Sequence, residues 1–304
     1  MRVLVGLDGS SHSLATVAFV GKLLDASRDQ LILCYVSPGL PFVGDEQLDP
    51  DVASRAQAAL SGAIFEASLG RLPDDWKSRV ERVELAGSAG AGLLDTAEKR
   101  DVEMIAVGFR GAGLFERFIL GSVSRAVVHS ARVPVLVVKT EPGQTAAVDG
   151  PLRALAAYDG PETSQPIAAI VNKLHWPADA RGWVLTAVPP MFIHELPDWL
   201  QPITRDEDVR AMAEAWQKEY DQQLAQSGEE LRKFQQTLPE PFRTTTPIVA
   251  QGRPAEQILA AATREKIHLI VVGSRGRGAV EQLLLGSTSD QVLSEATCSV
   301  LIAR

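Results

Sequence analysis

Met104-Ile105-Ala106-Val107-Gly108-Phe109-Arg110-Gly111, followed after nine further residues by Gly121-Ser122-Val123-Ser124, is the stretch whose reading decides the fold. An apolar run ends in two glycines three apart, and a Gly-Ser pair then opens a new amphipathic segment. The pattern returns at Leu269-Ile270-Val271-Val272-Gly273-Ser274-Arg275-Gly276 and Gly286-Ser287-Thr288-Ser289. A strand that ends in glycines and leads to a helix start has the makings of a phosphate cradle. Glycine lets the backbone come close to a ligand, and the unsatisfied N–H groups of a helix N-terminus point at an anion.

The repeat extends well past the glycines. Aligned without gaps, 108–138 and 273–303 share 13 identities in 31 positions, too many for chance recurrence of turn residues. Both stretches close on an apolar run, Pro134 to Val138 and Val300 to Ala303. The beginnings also match, since Val3-Leu4-Val5-Gly6-Leu7-Asp8-Gly9 resembles Leu155-Ala156-Ala157-Tyr158-Asp159-Gly160. A third echo sets Leu33 to Pro38 against Leu185 to Pro190, which pairs Val36 with Val188. The chain therefore reads as a tandem duplication of one unit of roughly 150 residues. The two units are expected over 1–140 and 152–304, joined by a linker at 141–151 inside the Gly-, Pro-, Thr- and Ala-rich stretch from Lys139 to Leu152.

Composition fits two domains, since 304 residues give each unit enough chain to bury its own core. The net charge of −8 and the lack of a basic stripe argue against general nucleic-acid binding. No apolar run approaches the ~18 residues of a membrane span, and Asp8 interrupts the first apolar stretch too early for a signal peptide. The expected location is cytoplasmic. Cys34 and Cys298 fall in expected strands of different halves and read as buried thiols in a reducing compartment.

Strands and helices alternate along each half. In the first, strands are expected near 2–7, 31–36, 80–85, 103–107 and 134–138, with helices near 11–26, 47–70, 90–99 and 122–131. In the second, strands are expected near 153–158, 182–188, 244–250, 267–272 and 299–303, with helices near 162–174, 206–236, 254–264 and 288–296. Near-continuous apolar strands between helices imply parallel sheets covered on both faces. From Arg205 to Leu238 the chain is dense in charged and amide residues, with Val209, Met212, Trp216, Tyr220 and Leu224 three or four apart. That spacing makes one apolar stripe, which suits a surface helix on the sheet or a helix that binds a partner.

The strand ending in Asp8-Gly9-Ser10, the doubled Gly-x2-Gly-x9-Gly-Ser run and the apolar last strand resemble the universal stress protein family, here as a tandem member, over nearly the whole chain. The resemblance implies two open, twisted five-stranded parallel sheets with helices on both faces, an α/β Rossmann-like architecture. In members that carry the glycine motif it implies ATP bound at the carboxyl ends of the strands. It also implies that the last strand of each unit pairs with that of another, so that the two halves pack as an intramolecular pseudo-dimer; a further homodimer is left open.

Asp8 ends the first strand, at the place where open α/β sheets bind ligands, and similarity to the family sets it against the adenosine. The resemblance places the Val36 backbone at the adenine edge, Gly108 and Gly111 beside ribose and phosphates, and Gly121, Ser122, Val123 and Ser124 as N–H and hydroxyl donors to them. The second-half positions are Asp159, Val188, Gly273, Gly276, Gly286, Ser287, Thr288 and Ser289. Each has a plainer reading: Asp-Gly after a strand is commonly a turn, and Ser122 or Ser287 could cap its own helix. It is the joint spacing that favours a ligand. Arg110 and Arg275 either meet phosphate or are solvated. Asp8 and Asp159 are placed to help hold Mg²⁺ with the phosphates, although such a site recruits substrate oxygens and water that a sequence does not show.

The halves need not bind equally. Asp290 follows Ser287 by three residues, a capping-box-like arrangement whose carboxylate also repels phosphate, whereas Arg125 holds the matching place in the first half. The first site is therefore expected to bind ATP more tightly. Catalysis has little support: a Gly-x-Ser-x-Gly elbow, His-Glu-x-x-His, Cys-x-x-Cys and a Walker loop are all missing. His12, His129, His175, His194 and His268 lack ligand-like spacing and read as surface or packing residues. Three functions stay open: an ATP-binding stress-response regulator, a slow ATPase or phosphotransferase, and a nucleotide-free interaction scaffold.

Overall fold

The computed structural model describes residues 1–37, 42–43, 46–47, 49–76, 78–110, 120–140, 150–189, 207–274 and 285–304. The first half runs β1 (Arg2–Leu7), α1 (Ser11–Leu23), β2 (Gln30–Ser37), a two-stranded ribbon of β3 (Phe42–Val43) and β4 (Glu46–Gln47), and α2 (Pro50–Leu69). After a 3-10 turn at Asp74–Trp76 come β5 (Val80–Ala86), α3 (Ala89–Lys99), β6 (Met104–Gly108), α4 (Ser122–Ser130) and β7 (Val135–Val138). The second half runs β8 (Arg153–Ala157), α5 (Pro161–Lys173), β9 (Arg181–Val188), α6 (Glu207–Gln236), α7 (Glu240–Arg243), β10 (Ile248–Gln251), α8 (Pro254–Arg264), β11 (Leu269–Gly273), α9 (Ser287–Glu295) and β12 (Ser299–Ala303).

Within each half the five main strands are parallel, in the order β5-β2-β1-β6-β7 and β10-β9-β8-β11-β12. The two sets meet where β7 pairs antiparallel with β12, Val137 opposite Val300, Leu136 opposite Leu301 and Val135 opposite Ile302. One ten-stranded sheet results.

Alternation along the strands divides the core into two layers. Val3, Val5, Leu136 and Leu301 face the layer built by α1, α2, α5 and α6, through side chains such as Val17, Phe65, Ile170 and Phe234. Leu4, Ile105, Val137 and Val300 face the layer of α3, α4, α8 and α9, through Leu93, Val127, Ile258 and Val292. Both layers continue across the junction of the halves. The α6 stripe joins the core only from Tyr220 onward, with Leu231 and Phe234, while Met212 is exposed.

Two local differences from the sequence reading have physical causes. Asp49 accepts from the Asp51 N–H and Pro50 sits at the first helical position, so α2 starts there and not at 47. A helical turn, α7, fills part of the stretch read as strand and leaves only Ile248–Gln251 in the sheet. Its Phe242 ring lies over Gly182, where an added Cβ would stand 2.4 Å from the ring, and packs edge-on against Trp176 at 5.0 Å. Cys34 is buried, Cys298 is partly exposed, and both are free. Among the described residues no helix is long and apolar enough to cross a membrane.

Candidate functional site

The order of strands reverses between β1 and β6, and again between β8 and β11. Helices leave such neighbours toward opposite faces, so a crevice opens at their carboxyl ends. Asp8 and Gly108 close β1 and β6 there, and Asp159 and Gly273 hold the matching places.

In the second half the crevice is a cavity of about 380 Å³. Ala157, Leu185, Ala187, Ile258 and Val272 give it an apolar floor, while Asp159, Thr163, Gly286, Ser287, Thr288 and Ser289 supply the polar rim. That volume lies within the range of small-molecule pockets.

In the first half the Asp8 carboxylate accepts from the Ser10 N–H at 3.0 Å and the Ser10 hydroxyl at 2.6 Å. Ser10 in turn accepts from the Ser13 N–H and caps α1. Gly9 makes this turn with φ of 77°, a conformation that favours glycine. Asp8 therefore also anchors the helix start. Pro161 follows Asp159-Gly160 and brings neither an N–H nor a hydroxyl, so the second half closes its turn differently. There the Thr163 hydroxyl donates to the Asp159 and Gly160 carbonyls.

Gly108 has a packing reason of its own, because an added Cβ would lie 3.1 Å from the His12 Cβ and 3.0 Å from the Arg110 carbonyl. His12 is thus in the first crevice, matching Thr163, which lines the second. Burial first and then the Arg110 guanidinium hold the His12 imidazole below its usual range, and Asp8 pulls the other way. His12 is thus the packing residue the sequence suggests, and its place at the crevice follows from its position four residues after Asp8 in the first turn of α1.

The two helix starts are alike. Gly121 (φ −57°, ψ 150°) caps α4 and Gly286 (φ −66°, ψ 149°) caps α9, neither with a side-chain cap. The capping box expected at Ser287 and Asp290 does not form, because Gly286 is the cap and Ser287 lies inside the helix. The Ser124 hydroxyl donates to the Gly108 carbonyl and the Ser289 hydroxyl to the Gly273 carbonyl, each at 2.6 Å. Each of these two serines clips helix to strand through its hydroxyl. Ser122 and Ser287 are exposed, Val123 and Thr288 half-buried.

One expected equivalence slips by a residue. Gly6 pairs with Cys34 and Ala157 with Leu185, so Ala187, not Val188, is the counterpart of Val36. The Val188 carbonyl already accepts from the Gly252 N–H at 3.0 Å and the Tyr220 hydroxyl at 3.4 Å. Gly111, Gly276 and Arg275 lie outside the described residues. Among the described residues no cluster of three His, Cys, Asp or Glu is placed to hold a metal ion.

Fold and crevices together define a tandem doubly wound α/β protein in which α4 and α9, the helices after β6 and β11, start without a side-chain cap. A model described as the universal stress protein family matches residues 1–139 and again 152–304, and the chain belongs to that family. A universal stress protein of Mycolicibacterium smegmatis is 26% identical over 314 residues, covering 99% of this chain and 96% of the relative. One of Thermus aquaticus is 36% identical over 150 residues, 49% of this chain and 96% of the relative. The crystal structure of a universal stress protein from Archaeoglobus fulgidus shares the fold across 100% of this chain and 96% of its own, with a TM-score of 0.59 at 21% identity.

Proposed function

We propose that this universal stress protein is a cytoplasmic regulator that binds ATP in the crevice of each half and signals through an intramolecular pseudo-dimer. The observation that carries the reading is the pair of helix starts capped by glycine alone. Both glycines have backbone angles open to any residue, so conformation does not demand glycine there, and a main chain without a side chain leaves room for a ligand. The N–H groups of Ser122, Val123, Ser287 and Thr288 would meet phosphate, as helix N-termini favour. Asp8 and Asp159 would face the ribose, and the apolar floor of Ala157, Leu185 and Ala187 suits an adenine ring.

The first site binds more tightly in this account. Arg110 and His12 lie in its crevice, and α4 has no acid in its first turn, whereas α9 has Asp290. Titration calorimetry with ATP on Gly121→Asp and Gly286→Asp tests it. Aspartate is a good helix cap, so both variants keep the fold, and a carboxylate about 4 Å from phosphate costs roughly 1 to 4 kcal/mol. Gly121→Asp removes the tighter site and Gly286→Asp the weaker. The reverse order overturns the ranking, and no binding by the native chain overturns the function.

A further inference from the structure

Lys139 and Arg304 hold matching places, each one residue past the last strand of its half. The Lys139 ammonium crosses the junction and donates to the carbonyls of Ser294 at 3.3 Å and Ala296 at 2.6 Å, at the end of α9. The Arg304 guanidinium crosses the other way and donates to the Val128 carbonyl in the last turn of α4. Each helix whose start forms one site is thus held at its far end by a cation from the other half.

The same cations are tied to the sites on their own side. The Phe109 N–H donates to the Val138 carbonyl and the Ser274 N–H to the Ala303 carbonyl, each at 2.8 Å, directly before Lys139 and Arg304. The Phe109 carbonyl accepts from the Gly121 N–H at 2.9 Å. Lys139 Nζ lies 4.2 Å from the centre of the Phe109 ring, and the Arg110 guanidinium carbon is 5.6 Å from that same centre. Ser274 replaces this ring in the second half, so the stronger link leads from the first site to α9.

We propose that Lys139 couples the two sites, so that an anionic ligand in the first raises the affinity of the second, with Arg304 as the reciprocal contact. The inference rests on the nucleotide reading above. Its sign follows from charge. Burial first, opposed by Cys298 and aided by the Arg110 guanidinium, holds the Lys139 ammonium down at about 8. An anion that engages Arg110 relieves the repulsion and strengthens the cation at the end of α9. A cation at the end of a nine-residue helix and an anion at its start reinforce one another through the aligned peptide dipoles. By linkage, a ligand in the second site favours the first equally.

The test is two-site calorimetry with ATP on the full chain and on Gly121→Asp, Lys139→Met and the double variant. Filling of the first site tightens the second roughly two- to fivefold, the range that terminal helix charges supply. The second-site Kd therefore rises by that factor in Gly121→Asp and in Lys139→Met, and the double variant is no weaker than the singles. Phe109→Leu, which keeps the ammonium but removes the ring that both it and Arg110 approach, gives a smaller rise and serves if Lys139→Met does not fold. A second-site affinity indifferent to both the first site and Lys139 overturns the coupling alone. No heat at either site overturns the coupling together with the function beneath it.

Discussion

Leu136 and Leu301 face each other across the antiparallel junction, fully buried in the layer that α1 and α5 cover. Truncating either to alanine removes three carbons, about 2.4 kcal/mol of transfer free energy, and leaves a cavity that raises the loss to roughly 2–5 kcal/mol. Because the two side chains share one void, Leu136→Ala with Leu301→Ala departs from the sum of the singles by roughly 0.5–3 kcal/mol. The continuous layers also make the halves unfold as one unit. Urea unfolding followed by circular dichroism and by tryptophan fluorescence measures both effects, with Trp76 the one tryptophan of the first half and the other four in the second. Additive losses, or transitions in which the halves separate in the native chain, would refute the shared core.

Gly182→Ala drives a methyl into the Phe242 ring and lowers stability by roughly 1–3 kcal/mol; Phe242→Leu in the same chain recovers part of it, as denaturant titration will show. Lys139 has its folded pKa below the unfolded one, so the unfolded chain binds the extra proton between about 8 and 10.5 and stability rises with pH across that window. The gap between native chain and Lys139→Met therefore shifts toward the native chain, by at most about 3 kcal/mol, in melts recorded from pH 7.5 to 10.5. Burial raises the Cys34 thiol to about 11; it resists iodoacetamide at pH 8 in the folded chain and reacts once the chain is unfolded, by mass spectrometry.

The duplication and the alternation of strand and helix were legible because glycine spacing and apolar runs are local signals. The strand ends carrying Asp8, Gly108, Asp159 and Gly273 followed from them. What escaped depends on pairing across the sheet. Val188 was aligned to Val36 from sequence echo, but register is fixed by hydrogen bonds to neighbouring strands, and a slip of one residue turns a side chain to the other face. That the Ser124 and Ser289 hydroxyls meet strand-end carbonyls 2.6 Å away is likewise hidden in the sequence, since it needs helix and strand brought together. The place of His12 between Asp8 and Arg110 is not legible in the sequence, because Asp8 and Arg110 come together only when β1 and β6 lie side by side. The turn α7 came from Phe242 finding the one bare position on β9 able to take its ring.

A crystal of the full chain soaked with ATP bears most directly on the role given to the glycine-capped helix starts. The account predicts adenine over Ala157, Leu185 and Ala187 in the second half, and phosphate oxygens within hydrogen-bonding distance of the main-chain N–H groups at Ser122–Val123 and Ser287–Thr288. Nucleotide bound elsewhere on the chain, or both helix starts bare at saturating ATP, would contradict it.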